Sequence, residues 1–357
     1  MTQRQRQASE PLDTAHGADG QRRFDVVVPT IGRRSLAPLV MSLLRSLPAG
    51  SRLIVVDDRG ERRRTGPLPL GAGVADARLC VVEGGGRGPA AARNRGWRSS
   101  AAAWIAFLDD DVEVPADWVR ALQADLRSAG NDVAAIQGRV LVPLPAERAP
   151  SDWERNVHGL ETARWITADL AVRRRALEAI GGFDERFAHA YREDSDLALR
   201  LLDAGWRLRA GRRQIRHPVG AAPWWVSLPL QRGNADDVLM DRLHGPKWRA
   251  RAGAPAGAYA AHRVTTGAGA LALGAGIAGR RGLAGAAFGW WLLRTARFAW
   301  ARIAPGPRTP TEVLAMTATS MVIPAAASYH RLAGHLRCLR NRPAPRGGAG
   351  SRAGSAF

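Results

Sequence analysis

The chain has 357 residues, with 52 Lys and Arg against 32 Asp and Glu, for a net charge of +20. Its 46% hydrophobic content supports a sizeable core and excludes wholesale disorder. The two cysteines, Cys80 and Cys338, lie far apart, which excludes a disulfide framework or a Cys-based zinc site and points to a reducing compartment. The length allows one large domain, or one of about 200–250 residues with an appendage.

The charge is unevenly placed: residues 246–357 hold 16 basic residues and a single acid, Glu312, so +15 of the +20 lies there. Lys247 is the only lysine, an arginine bias that reads as a compositional habit rather than selection for phosphate. No aromatic–basic module of a nucleic-acid binder occurs, so nucleic acid is not expected as a partner.

Residues 1–23 are polar and lack the apolar core of about 7–15 residues that a secretory signal needs; they read as a disordered tail. From Phe24 the pattern changes. Short β-branched or apolar runs at Phe24–Pro29, Arg52–Asp57, Arg78–Val82 and Trp104–Leu108 alternate with helical stretches at Ser35–Leu47, Pro89–Ala102 and Pro115–Ser128. Such alternation predicts βαβ units and an α/β fold whose mostly parallel sheet is buried on both faces. Chemistry in that class gathers at the carboxyl ends of the strands, where Pro29–Thr30, Asp57–Asp58 and Asp109–Asp111 stand. A second block adds strands at Val133–Val142 and Ile166–Val172 and helices at Arg174–Ile180 and Asp194–Ala204, the helices being separated by the turn Gly181–Asp184.

Beyond His217 the chain is Trp- and Arg-rich, then Gly/Ala-rich. Its uncharged runs, Val264–Gly279 with 16 residues and Gly282–Leu293 with 12, fall short of the roughly 20 that a membrane span needs. Arg280 and Arg281 separate them like a hairpin turn. Trp290, Trp291 and Trp300 lie among Arg294, Arg297 and Arg302, as in interfacial segments. A last helix is predicted over Thr311–Leu339, interrupted by Pro324. The region reads as a membrane-associated helical hairpin, the alternative being a soluble helical subdomain.

Three consecutive carboxylates, Asp109, Asp110 and Asp111, end an apolar strand. They repel one another and call for a divalent cation with oxygen ligands, unless they form a solvated acidic turn. Asp57 and Asp58 end a second strand, where a carboxylate can accept from a base N–H or a ribose hydroxyl; a turn-forming Asp is the plain alternative. The glycine run at 84–88 lacks the Gly-Lys-Ser/Thr of a P-loop and the spacing of a dinucleotide fingerprint. It leads into a small-residue helix carrying Arg93 and Asn94 as donors toward a nucleotide. Glu193 and Asp194 open a helix, either complementing its dipole or supplying a general base. His217 is a metal or phosphate contact, or a structural histidine.

In this order the pieces closely resemble the family 2 glycosyltransferases. They are Val-Val-Val-Pro-Thr at 26–30, Val-Val-Asp-Asp at 55–58 and Gly-Pro-Ala-Ala-Ala-Arg-Asn at 88–94. Phe-Leu-Asp-Asp-Asp at 107–111, Gly-Gly-Phe-Asp-Glu at 181–185 and Glu-Asp-Ser-Asp-Leu at 193–197 follow, with Gly205-Trp206 and His217-Pro218 completing the series. The resemblance implies a GT-A fold, a Rossmann-like nucleotide-diphospho-sugar transferase sheet, over residues 24–220. A helical acceptor-side segment at 221–261, a membrane-associated region at 262–340 and a disordered basic tail at 341–357 complete the expected organisation.

It further implies that Asp111, with Asp109 and His217, holds Mg²⁺ or Mn²⁺ against the donor diphosphate. Asp109 and Asp110 would lie beside the nucleotide-sugar, with Asp57, Asp58, Pro29, Thr30, Arg93 and Asn94 around the nucleotide. Asp194 would be the catalytic base, with Glu193 beside it assisting acceptor or metal binding, in a single inverting displacement. The expected partners are a nucleotide-sugar donor, a carbohydrate or lipid-linked acceptor and an anionic membrane surface, at the cytoplasmic side of a bacterial inner membrane. The alternatives are a polyprenyl-phosphate sugar transferase and a non-catalytic GT-A-like binding module. Two departures stand out: Ile166–Leu170 replaces the usual Gly-Ala-Asn-like acceptor strand, and an Arg-rich loop, Arg59–Arg64, follows the first Asp pair and reads as solvated, the alternative being a site for an acidic sugar or a lipid phosphate. Trp153, Trp165 and Trp206 are candidates to stack on sugars, although core packing is the commoner fate of Trp.

Overall fold

The computed structural model describes residues 23–71 and 73–340, apart from the side chain of Arg63. The predicted tails thus lie outside the described residues, except for Arg23. The described residues divide into two compact units, 23–145, 154–220 and 252–254 in one and 146–153, 221–251 and 255–340 in the other.

The first unit is built on seven strands: β1 (Phe24–Thr30), β2 (Leu53–Asp57), β3 (Leu79–Glu83), β4 (Trp104–Leu108), β5 (Val133–Leu141), β6 (Asp169–Arg173) and β7 (Arg207–Arg216). The helices, in chain order, are α1 (Leu36–Ser46), α2 (Pro89–Arg98), α3 (Trp118–Arg127), α4 (Asp152–His158, whose first two residues are grouped with the second unit), α5 (Arg174–Ile180) and α6 (Glu193–Asp203). The strands form one sheet in the order β3-β2-β1-β4-β6-β5-β7. Only β6 runs antiparallel to its neighbours.

Every residue of β2, β4 and β6 is buried, as expected for strands covered on both faces. Val27, Ile54, Phe107 and Leu170 of the sheet pack with Trp97 of α2, Leu177 of α5 and Leu197 of α6. Helices α1 and α3 bury their own apolar stripes and pack on β2 and β7.

One strand escaped the sequence reading. β7 reads Arg-Leu-Arg-Ala-Gly-Arg-Arg-Gln-Ile-Arg, with no β-branched run to mark it. It forms because it is an edge strand with one solvent-facing side, and because its one buried arginine is neutralised. Arg213 is fully buried between Asp125, at 3.0 Å, and Asp169, at 2.8 Å.

The second unit contains α7 (Gly233–His244), α8 (Trp248–Ala252), α9 (Tyr259–Ile277), α10 (Arg281–Ile303) and α11 (Pro310–Arg340), with Pro324 inside α11. Residue Ala252, at the end of α8, is grouped with the first unit. No helix of the described residues is long and apolar enough to cross a membrane. α9 packs on α10 and α11, and α11 on α7. Arg302, grouped by sequence with interfacial arginines, is instead buried. It donates to Asp152 at 2.8 Å, Thr319 at 2.8 Å and Ser320 at 3.0 Å. Glu312, the lone acid of the basic third, accepts the Asp152 backbone N–H at 2.9 Å.

Candidate active site

β1 pairs with β2 as far as Thr30–Asp57, but with β4 only as far as Val27–Phe107. Pro29, which has no N–H to give to a ladder, stands where β1 and β4 have parted. The sheet reverses its winding here, so this opening is the switch point at which α/β sheets bind ligands. Thr30 Oγ1 donates to Asp110 Oδ2 across it at 2.5 Å. Arg33 also pairs with Asp110 and lies 3.2 Å from Asp111. Asp110, 2% exposed, therefore ties the end of β1 to the end of β4.

The aspartates flanking it point elsewhere. Asp109, Asp111 and His217 are half-buried and offer ligand atoms that all lie within 4.8 Å of one another. His217 follows β7; its backbone N–H donates to Leu141 at 2.8 Å, and its Nε2 lies 3.4 Å from Asp111 Oδ1. Burial, then the charge of Asp109, raises the Asp111 carboxyl above its ordinary range. Clustered carboxylates taken partly out of water with an imidazole beside them fit a hard divalent cation such as Mg²⁺ or Mn²⁺.

Arg93 links this cluster to α6. Buried in α2, it donates to Asp109 at 2.9 Å and to Glu193 at 2.9 Å. Glu193 is 3% exposed; Oε1 meets Arg93, whereas buried Oε2 has no hydrogen-bond partner among the described residues. Burial, then the neighbouring charge of Asp194, pushes Glu193 up to about 8. Asp194 is half-buried and raised chiefly by desolvation, and its Oδ1 accepts the Ser195 N–H at 2.6 Å. Just before them Arg192 adopts φ 76°, a left-handed conformation that non-glycine residues rarely take and that gathers at functional sites. Asp196, the third acid of this turn, is fully buried on Arg200 at 2.7 Å and belongs to the scaffold.

The remaining nucleotide candidates are placed differently. Asp57 is gripped by Arg59 at 2.9 and 2.8 Å, with Arg64 at 3.9 Å, and the Arg59 hydrogen bond holds its carboxyl below the usual range. The Arg59–Arg64 loop is thus not simply solvated, since two of its arginines cap Asp57. Asp58 accepts backbone N–H groups of Arg87, at 3.0 Å, and Gly88, at 2.9 Å, and so fastens the glycine loop.

Asn94 does not join the cluster. Its oxygen accepts from Phe183 and Trp97, and its NH₂ donates to Phe183 and Glu185, all at 2.9 Å, which fills the amide. It pins the Gly181–Glu185 turn, where Gly182 has φ +78° and a Cβ would lie 2.4 Å from Asn94 Oδ1. Among the tryptophans, Trp206 packs against the core.

The structure thus gathers Thr30, Arg93, Asp109, Asp110, Asp111, Glu193, Asp194 and His217, and adds Arg33, which the sequence reading had not assigned, and Arg59, which it had left in a solvated loop. Their only signal was position, three residues after Thr30 and two after Asp57.

A mostly parallel sheet with this acidic edge is the GT-A fold. The chain superposes on a mannosyltransferase from Pyrobaculum calidifontis, solved in complex with GDP-Man and Mn²⁺, with a TM-score of 0.50 over 90% of each chain. At 18% identity that likeness concerns the fold alone. Residues 25–175 match the model of Glycosyl transferase family 2. Pre-mycofactocin glycosyltransferases of two Mycobacterium tuberculosis strains, CDC 1551 / Oshkosh and ATCC 25618 / H37Rv, are 30% identical over 206 residues. The matched stretch is 53% of this chain and 41% of theirs, so the chain spans less than half the length of those relatives.

Proposed function

We propose that this chain transfers a sugar from a nucleotide-diphosphate donor to a hydroxyl acceptor, with inversion at the anomeric carbon. The observation that carries the reading is the convergence of Asp109, Asp111 and His217 with a buried Glu193–Asp194 pair, joined through Arg93. Asp109, Asp111 and His217 would hold Mg²⁺ or Mn²⁺, which when bound offsets the charge gathering on the leaving diphosphate.

Asp194 takes the proton of the acceptor hydroxyl as its oxygen bonds to the anomeric carbon and the bond to the donor phosphate breaks. Desolvation makes Asp194 a stronger base than a surface aspartate. Glu193 and Arg93 set its position relative to the acids after β4. Thr30 and Pro29 border the donor opening, and Asp57 with Arg59 meets the base. Asp58 and Asn94 act at one remove by holding the loops. The acceptor is a carbohydrate or a lipid-linked hydroxyl, in polysaccharide or glycolipid synthesis at the cytoplasmic face of a bacterial membrane.

The Pyrobaculum neighbour's GDP-Man and Mn²⁺ name the first donor and metal to try, with UDP- and dTDP-sugars after them. The test is metal-dependent donor hydrolysis or transfer by the wild type, Asp111→Asn and Asp194→Asn. Both substitutions should lower turnover at least about a hundredfold, the usual worth of a general base. Asp111→Asn should also weaken Mn²⁺ binding, whereas Asp194→Asn should not. Turnover that survives both substitutions removes the assignment.

A further inference from the structure

Between Val264 and Phe298 the α9–α10 hairpin buries small apolar residues and exposes large ones. Ala268, Ala275 and Ala287 are buried positions of α9 and α10, and a Cβ on Gly269 would sit 3.0 Å from the Trp291 ring. Leu273 and Ile277 are 68% and 81% exposed, and Phe288, Trp290 and Leu292 are each about half exposed. A bundle made for water turns its large apolar residues inward. Close small-residue seams are instead how helices associate where lipid surrounds them. An apolar exterior of this extent needs a cover.

Charge indicates which cover. No acid occurs between Asp241 and Glu312, a stretch that holds Lys247 and ten arginines. Arg263, Arg280, Arg281 and Arg297 are exposed beside the apolar side chains. A second copy of the chain would bring like charge to this face, whereas an anionic leaflet brings the opposite sign. With no helix long and apolar enough to cross a bilayer, such a hairpin lies in the plane of the interface.

We propose that the α9–α10 hairpin inserts into the headgroup–acyl boundary of an anionic leaflet, immersing Leu273, Ile277, Phe288 and Trp290, with Arg280 and Arg281 on lipid phosphates. This deepens the membrane part of the reading above. Its test reads binding rather than turnover, so either can fail alone.

The full chain is floated with vesicles of phosphatidylglycerol and phosphatidylcholine, and with phosphatidylcholine alone. The wild type should float with the anionic vesicles, and about tenfold less with neutral ones. Ile277→Glu/Trp290→Glu should lose flotation about tenfold or more while keeping the wild-type helical circular dichroism and thermal unfolding midpoint, which show that its helical unit folds. Arg280→Ser/Arg281→Ser should lose the preference for phosphatidylglycerol. A wild type that stays unbound, or a double glutamate variant that floats like it, overturns the proposal. So does sedimentation showing a wild-type dimer that the glutamates make monomeric, because a second copy would then cover the face.

Discussion

At the scale of single residues, five acids of the site are held by three arginines: Asp57 has Arg59, Asp110 and Asp111 share Arg33, and Asp109 and Glu193 share Arg93. Arg33 differs from Arg93 in being half exposed, so its hold on Asp111 is that of a surface pair, worth about 0.5–1 kcal/mol. A guanidinium there opposes a dication at the same carboxylate. Arg33→Ala should therefore raise the Mn²⁺ affinity of the nucleotide-free protein about three- to fivefold, read by electron paramagnetic resonance titration.

Glu193 supplies a second test at this scale. The folded chain keeps its proton up to about 8, against 4.5 for an ordinary glutamate. Between those values the folded state binds more protons than the unfolded state, so stability falls as pH rises through the window, at about 1.4 kcal/mol per unit at the limit. Urea unfolding of the wild type should show a loss between pH 5 and pH 8 that Glu193→Gln largely removes.

Secondary elements explain why some of the site was legible and some was not. β4 and α5 take their sequence-read bounds, Trp104–Leu108 and Arg174–Ile180, because each is a clean apolar or helical run between turn residues. β7 carries no such signal, because half its residues are arginine and its pairing with β5 decides its conformation. It nonetheless delivers His217 to Asp111. Its anchor is Arg213, whose removal leaves Asp125 and Asp169 buried without a cation. Arg213→Met should cost about 3–5 kcal/mol in denaturant unfolding. Arg213→Lys should recover only part of that, since an ammonium cannot reproduce the fork that reaches Asp125, Asp169 and the Ile136 carbonyl together.

At the scale of the whole molecule, the +20 separates into an acid-centred α/β unit and a basic helical one. The helical unit has an interior of its own, in which Arg302 satisfies Asp152, Ser227, Thr319 and Ser320. Arg302→Met removes a buried guanidinium that donates to Asp152 and to the Ser227, Thr319 and Ser320 hydroxyls, so it should lower the thermal stability by about 1–3 kcal/mol in calorimetry. Because those partners all belong to the helical unit, Mn²⁺ affinity should stay at the wild-type value. A parallel loss of Mn²⁺ binding would contradict that separation.

The amino-acid sequence alone determined the alternation of strands and helices, the α/β class and the chemistry of the acidic strand ends, because these depend on local periodicity and residue type. Only the tertiary structure decided which acid meets which partner. Adjacent aspartates point in different directions, so Asp110 turns to Thr30 while Asp109 and Asp111 meet a histidine more than a hundred residues away. Asn94 and Asp58, alike in type to the residues at the cluster, are spent on loops. That sorting is set by long-range pairing in the sheet, which no local pattern encodes.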